Sequence, residues 1–200
     1  MQVVLATWNA HKVEEVTQIL KHAGADVEVV GLEVFGGLPE APETGATFAE
    51  NALQKARFVF ERVGGPDRVV VADDSGLVVD ALNGAPGVHS KRFTPEATAE
   101  SNNQRLLTEL THKDNRAARF VCVMAVVSAG DHRVADGWCE GHIAHTPRGD
   151  GGFGYDPLFV PEGWDGRTLA QASAAEKNAI SHRGRAFRQL PEALAALGLG

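Results

Sequence analysis

The chain has 200 residues, 44% of them hydrophobic and 22% charged, enough apolar side chain for one large or two closely joined globular lobes, which excludes the disordered and fibrous classes. A net charge of -7 argues against a general nucleic-acid binder, and two cysteines outside any Cys-x-x-Cys pair exclude a disulfide framework and a thiolate metal site. No run approaches the roughly 20 apolar residues of a membrane span, and Val3-Val4-Leu5-Ala6 has neither a basic region nor a cleavage signal, so a cytoplasmic protein with no membrane or nucleic-acid partner is expected.

In chain order, Val3-Val4-Leu5-Ala6 reads as a short strand that enters the loop Thr7-Trp8-Asn9, after which Val13, Val16, Leu20 and Ala23 recur at helical spacing until Gly24. Thr47-Phe48-Ala49-Glu50 has the form of a capping box, and Phe48, Ala52, Leu53, Ala56 and Phe60 mark the apolar face of the helix that follows. Val69-Val70-Val71-Ala72 is a buried strand that delivers the chain into an acidic turn, Asp73-Asp74-Ser75-Gly76. Gly and Pro predict a turn at Asn83-Gly84-Ala85-Pro86-Gly87, and Leu106, Leu107 and Leu110 mark another helix. Residues 119–128 and 133–143 read as two longer strands, with Gly130 at the first central position of the turn, a register that sets Cys122 opposite Cys139. The glycine cluster of residues 147–157 is a loop. Ser173-Ala174-Ala175-Glu176 is a second capping box, and Ala186, Leu190, Leu194 and Leu197 close the chain as an amphipathic helix with Arg183, Arg185 and Arg188 on its outer side.

Four segments carry side chains suited to chemistry. Adjacent carboxylates after a buried strand sit where open α/β sheets place ligands, and their mutual repulsion is relieved by a cation, although Asp-Asp-Ser-Gly is also ordinary turn chemistry. Thr7, Asn9 and Lys12 surround a helix start, where free N–H groups favour an anion; the plainer reading is a capping Asn9 and a solvated Lys12. In Gly151-Gly152-Phe153-Gly154-Tyr155-Asp156-Pro157, glycines around two aromatics leave ring faces open to a stacked base; the alternative is a structural loop whose aromatics plug the core. Lys177 and Ser181-His182-Arg183-Gly184 place donors that suit a purine 6-oxo acceptor and not the 6-amino group of adenine; the plainer reading is Ser181 as an N-cap with His182 and Arg183 capping and solvated. His142 and His145 are three apart near a strand end and do not share a face, which argues against zinc.

Taken in order, Leu5-Ala6-Thr7-x-Asn9-x-x-Lys12, Thr47-Phe48-x-Glu50-Asn51-Ala52, Ala72-Asp73-Asp74-Ser75-Gly76-Leu77, Gly84-Ala85-Pro86-Gly87, the glycine-rich aromatic loop and the segment 177–184 resemble the Ham1/RdgB family of inosine and xanthosine triphosphate pyrophosphatases. The resemblance spans almost the whole chain. It implies an α/β, ITPase-like (Maf/Ham1) two-lobed fold around a long mixed β-sheet flanked by helices, one domain over residues 1–200 with an active-site cleft between the lobes, and a homodimer. It also implies Mg²⁺-dependent hydrolysis of ITP, dITP and XTP to the monophosphate and pyrophosphate. By position Glu43 and Asp74 match metal ligands, with Asp74 also the proton acceptor; Thr7, Asn9, Lys12, Lys55, Ser75, Phe153, Gly154, Tyr155, Asp156, Lys177, His182 and Arg183 match substrate contacts, and Asp73 is their structural support. A Maf-type enzyme would read other bases, and a catalytically silent nucleotide-binding regulator would keep the pocket; Ser181-His182-Arg183 weighs against the first and Glu43 with Asp74 against the second. One departure is plain. Trp8 stands where the family usually has glycine, and the expectation is that this position needs no positive φ, with the indole directed away from the phosphates.

Overall fold

The computed structural model describes residues 1–25 and 27–199. Its six strands are β1 (Gln2–Leu5), β2 (Glu28–Val30), β3 (Arg68–Val79), β4 (Ala117–Val127), β5 (His132–Ile143) and β6 (Phe159–Pro161), ordered β2-β1-β3-β4-β5-β6 in one sheet. The sheet is mixed: β1 runs parallel to β2 and β3, whereas β5 and β6 are antiparallel. Helices flank it, in keeping with the expected α/β class. The chain divides into two compact units, the first made of Met1–Asp74, Cys122–Gly137 and Arg183–Gly200, the second of Ser75–Val121 and Trp138–His182. No described helix is long and apolar enough to cross a membrane.

In the first unit, Val3, Val4 and Leu5 are all buried, as a strand with neighbours on both sides requires, and each such side chain contributes roughly 2 kcal/mol relative to exposure. Helix α1 (Ala10–His22) starts where the Asn9 side chain accepts the His11 N–H, buries Val16, Ile19 and Leu20, and ends in Lys21 and His22, which suit the negative end of its dipole. Helix α2 (Phe48–Val63) opens on the expected capping box: the Thr47 hydroxyl accepts the Glu50 N–H at 3.2 Å, and the Glu50 carboxylate accepts the N–H groups of Ala46 and Thr47 at 2.7 and 3.2 Å. Its buried stripe is Ala52, Ala56, Val59 and Val63, while Phe48, Leu53 and Phe60 are only half-buried. The chain closes as two short helices, not one. Pro191 has no N–H to offer the carbonyl four residues back, so a helix through residues 182–187 stops and another restarts at Leu190. Arg185 and Arg188 are exposed as expected, but Arg183 is buried. The core of this unit gathers Val3, Leu5, Leu20, Val71, Met124, Phe187 and Leu190.

The second unit has its own core, centred on Leu77, Leu106, Phe120, Ile143, Leu158 and Phe159. Helix α3 (Ala99–Glu109) is capped by Thr98, whose hydroxyl accepts the Ser101 N–H, and helix α4 (Ala174–Ile180) by the predicted box between Ser173 and Glu176. The Glu176 carboxylate also meets Arg167 at 3.0 Å, and the bonds from Arg167 and Ser173 hold it down at about 2. A depressed acid contributes stability above its ordinary value of 4.5 and loses that contribution as pH falls toward about 2. Glu176→Gln is therefore expected to lower the melting temperature slightly at neutral pH and not at all at the acid end of that window, which a pH series of thermal melts reads.

Two further expectations fail. Residues 73–76 form no turn, since β3 runs unbroken from Arg68 to Val79. Apolar runs on both sides carry the strand through, and the acidic pair lies just beyond Val71, where the parallel partner β1 ends at Leu5. The hairpin register also shifts. Ser128 donates to the carbonyl of Asp131 and Ile143 to that of Arg116, so the loop is Ala129-Gly130 and the same pairing sets Cys122 opposite Gly137 and Cys139 opposite Phe120. The two thiols belong to separate cores.

Candidate active site

In the first unit the acidic pair of β3 gathers charge from three elements. Lys12, on α1, lies 2.5 Å from Asp73 Oδ1, and the Arg183 guanidinium reaches Asp73 Oδ2 at 3.7 Å and Glu15 Oε2 at 2.9 Å. The Cys122 thiol donates to Asp73 Oδ2 at 3.8 Å. Lys55, on α2, donates to Glu43 Oε1 at 2.6 Å and to the Asp73 carbonyl at 2.9 Å. One turn earlier on the same helix face, Asn51 donates to Asp74 Oδ2 at 2.9 Å and accepts the Gly45 N–H at 2.8 Å.

The two neighbouring carboxyls differ in their electrostatics. Burial pushes Asp73 up, but the charges of Lys12, Arg183 and Lys55 outweigh it and hold the group well below the usual carboxylate range. Asp74 moves the other way: burial raises it, and the charges of Glu43 and Asp73 add to the rise against the Asn51 bond and Lys55. Asp73 is thus a fixed anion among the cations, while Asp74 has the raised affinity for protons. Burial disfavours the Arg183 charge, yet Asp73 and Glu15 keep it firmly protonated. Lys12 is not simply solvated: its half-buried ammonium is paired with Asp73.

Thr7 and Asn9 are tied to each other at the start of α1, the Asn9 N–H donating to Thr7 Oγ1 at 3.2 Å, so the capping reading of Asn9 stands. Trp8 between them is 43% exposed. Among the described residues only Asn83 and Ala97 combine a side chain with a positive φ, so the Trp8 backbone makes no demand for glycine.

The second unit holds the glycine-rich loop. Asp156 is buried, and its Oδ2 accepts the Phe153 N–H at 2.7 Å and the Lys177 ammonium at 2.5 Å. That Lys177 head also stands 4.2 Å from the centroid of the Phe153 ring. A Cβ on Gly152, whose φ is +71°, would lie 2.2 Å from Asp156 Oδ2, so the knot needs glycine there twice over. Of the two aromatics only Phe153 is exposed, at 59%. Tyr155 instead plugs the core, its hydroxyl donating to the Ser90 carbonyl at 2.8 Å, and burial pushes that hydroxyl well above its ordinary range. His182 is buried with its ring stacked on Phe120 at 4.8 Å. Ser75 follows Asp74 in β3 and is half-buried.

The first unit therefore brings together Lys12, Glu43, Lys55, Asp74 and Arg183, and the second knots Phe153, Gly154, Tyr155, Asp156 and Lys177. Sequence reasoning passed over Glu15 and Asn51. Both were readable, because Glu15 stands three residues after Lys12 on one helix face and Asn51 four before Lys55. Chemically, the first group is a set of hard oxygen donors with ammonium heads among them, suited to phosphates and a hard cation, and the second presents one open ring with a cation and a buried anion behind it.

Residues 3–193 match the Ham1 family. The dITP/XTP pyrophosphatase of Nocardia farcinica is 51% identical over 201 residues, covering 98% of this chain and 96% of its own, and that of Streptomyces coelicolor is 46% identical over 193 residues, covering 94% of each. Among solved structures, a HAM1 protein from Coxiella burnetii superposes with a TM-score of 0.86 at 38% identity, covering 98% of this chain and 99% of its own. The Staphylococcus aureus Ham1 protein does so at 0.85 and 35%, covering 98% and 100%. With near-complete coverage in both sequence and structure, this chain belongs to the Ham1 family.

Proposed function

We propose that the chain is a Mg²⁺-dependent pyrophosphohydrolase that converts the deaminated purine nucleotides ITP, dITP and XTP to the monophosphate and pyrophosphate, which keeps them out of DNA and RNA. The observation that carries this reading is the near full-length identity to relatives named dITP/XTP pyrophosphatase. The chemistry of the two residue groups supports it. Water adds to phosphorus, the anhydride bond between the α- and β-phosphates breaks, and pyrophosphate leaves. Such a reaction asks for positioning, charge neutralisation and an oriented water more than for covalent help. Lys12, Lys55 and, at the start of α1, Thr7 and Asn9 are the phosphate contacts, with Ser75 a further substrate contact; Asp74 takes the proton of the attacking water, which its raised affinity for protons favours.

Glu43 and Asp74 are the residues that would hold Mg²⁺. They fit it: both are carboxylates, and three cationic heads against the four carboxylates of Glu15, Glu43, Asp73 and Asp74 leave an excess of negative charge. Mg²⁺ is commonly held by one or two carboxylates together with substrate phosphates. When bound, the ion neutralises phosphate charge and polarises the anhydride. Phe153 stacks on the base, backed by the Gly154, Tyr155, Asp156 and Lys177 knot, and His182 and Arg183 supply the donors that accept a 6-oxo purine and reject adenine. The protein acts as a homodimer in the cytoplasm.

The test is pyrophosphate release across ITP, dITP, XTP, ATP and GTP, with Mg²⁺ and with EDTA, alongside light scattering for the dimer. Turnover of the deaminated nucleotides at least about a hundredfold above ATP, abolished by EDTA, is expected. Equal turnover of ATP and ITP would remove the base-reading role of His182 and Arg183, and nucleotide binding without turnover would make the chain a silent regulator.

A further inference from the structure

The loop that presents Phe153 is held from a third side by a residue outside every motif above. Asn103, on α3, donates from Nδ2 to the carbonyl of Gly154 at 2.9 Å. Because that partner is an acceptor, the amide must face it with nitrogen, and the carboxamide oxygen is left on the far side, buried and without a hydrogen-bond partner among the described residues. A buried orphan acceptor is a standing penalty, which an apolar side chain at the same place would avoid. The bond to Gly154 is what the amide offers against it.

Its location gives that bond leverage. Gly154 has φ +60°, which side-chain-bearing residues rarely adopt, and no atom beyond its chain neighbours lies within 4 Å of where a Cβ would be, so nothing packs against that side of its Cα. Asp156 ties the start of the turn through the Phe153 N–H, and Tyr155 is anchored to Ser90. Between those anchors, Asn103 clamps the one carbonyl immediately after the exposed Phe153 ring. We propose that Asn103 is a positioning residue for substrate specificity, fixing the Gly154 peptide so that the Phe153 ring stands ready for a base. This rests on the reading of Phe153 as the base platform.

The test is a double-mutant cycle of Asn103→Asp, which keeps shape and removes the donor, with Phe153→Ala, read as KM and kcat for ITP and as melting temperature. Asn103→Leu runs in parallel in case the aspartate variant fails to fold. The expected result is a KM raised about tenfold with kcat within about twofold, and little further rise when the change is made in the Phe153→Ala background. An unchanged KM with only a lower melting temperature would overturn the proposal and leave the platform reading intact, provided Phe153→Ala alone raises KM. If Phe153→Ala alone leaves KM unchanged, the platform reading itself falls, and an equal effect of Asn103→Asp in both backgrounds would show that it does not act through that ring.

Discussion

Asp74→Asn is expected to lower kcat on ITP about a thousandfold, within the range that loss of a positioned general base produces, while the protein becomes no less stable. The two effects have one cause. Asp74 is partly buried beside Glu43 and Asp73, and burial and their charges raise its affinity for protons. A carboxyl whose folded pKa lies above the ordinary 3.8 costs the folded state nothing below that value and most once pH exceeds the folded pKa. The neutral asparagine should therefore raise the melting temperature at neutral pH in EDTA, and the gain should vanish in acid. Its amide oxygen can still accept the Asn51 donor that now reaches Asp74 at 2.9 Å, so the local fold has no reason to move. Full activity in the variant would remove Asp74 from the mechanism. Lost activity with a lower melting temperature would say that the carboxylate supports the fold and not the reaction.

How much of this was readable before any fold was known follows from which forces are local. Both predicted capping boxes form, because a hydroxyl, a carboxylate and two N–H groups within four residues decide them. The loop around Phe153 was legible for the same reason. The strand through Asp73 and Asp74 was not: turn propensity is a local preference, and here it yields to Lys12 and Asn51, which satisfy the two carboxylates, and to Lys55, which satisfies the Asp73 carbonyl, all from distant parts of the chain. Arg183 was assigned to the outer side of a helix because arginine in an amphipathic pattern usually marks the wet face. Its pairing with Asp73 and with Glu15, 168 residues away, makes burial tolerable. For the aromatics of the glycine-rich loop the sequence left both outcomes open, and Tyr155 takes the core-plugging one, since its hydroxyl finds the Ser90 carbonyl and lets the whole ring enter the core. The hairpin slipped by one choice of turn residues, with Gly130 second and not first of the two loop positions.

The same network sets the largest stability effect. Asp73→Ala is expected to cost about 3–5 kcal/mol, the usual result of removing one partner from a buried ion pair, and to lower the melting temperature by roughly 10 °C for a chain of this size. Lys12 is near enough to solvent, at 19% side-chain exposure, to find water when its partner goes. Arg183 is not: at 8% exposure it would lose its leading opposite charge and keep the Glu15 pair, with a charge that burial already disfavours. Most of the loss should therefore trace to Arg183, and replacing Arg183 by Met in the Asp73→Ala background should recover part of it. The pH dependence carries the same sign argument in reverse of Asp74. Asp73 is held well below its ordinary 3.8, so its contribution is complete above that value and fades only in stronger acid. The gap between wild type and variant in urea unfolding should be constant from neutral pH down to about the ordinary carboxylate range and close below it. A loss under about 1 kcal/mol, the value typical of exposed pairs, would show that water reaches this cluster and that Asp73 is not the anchor on which Lys12 and Arg183 depend.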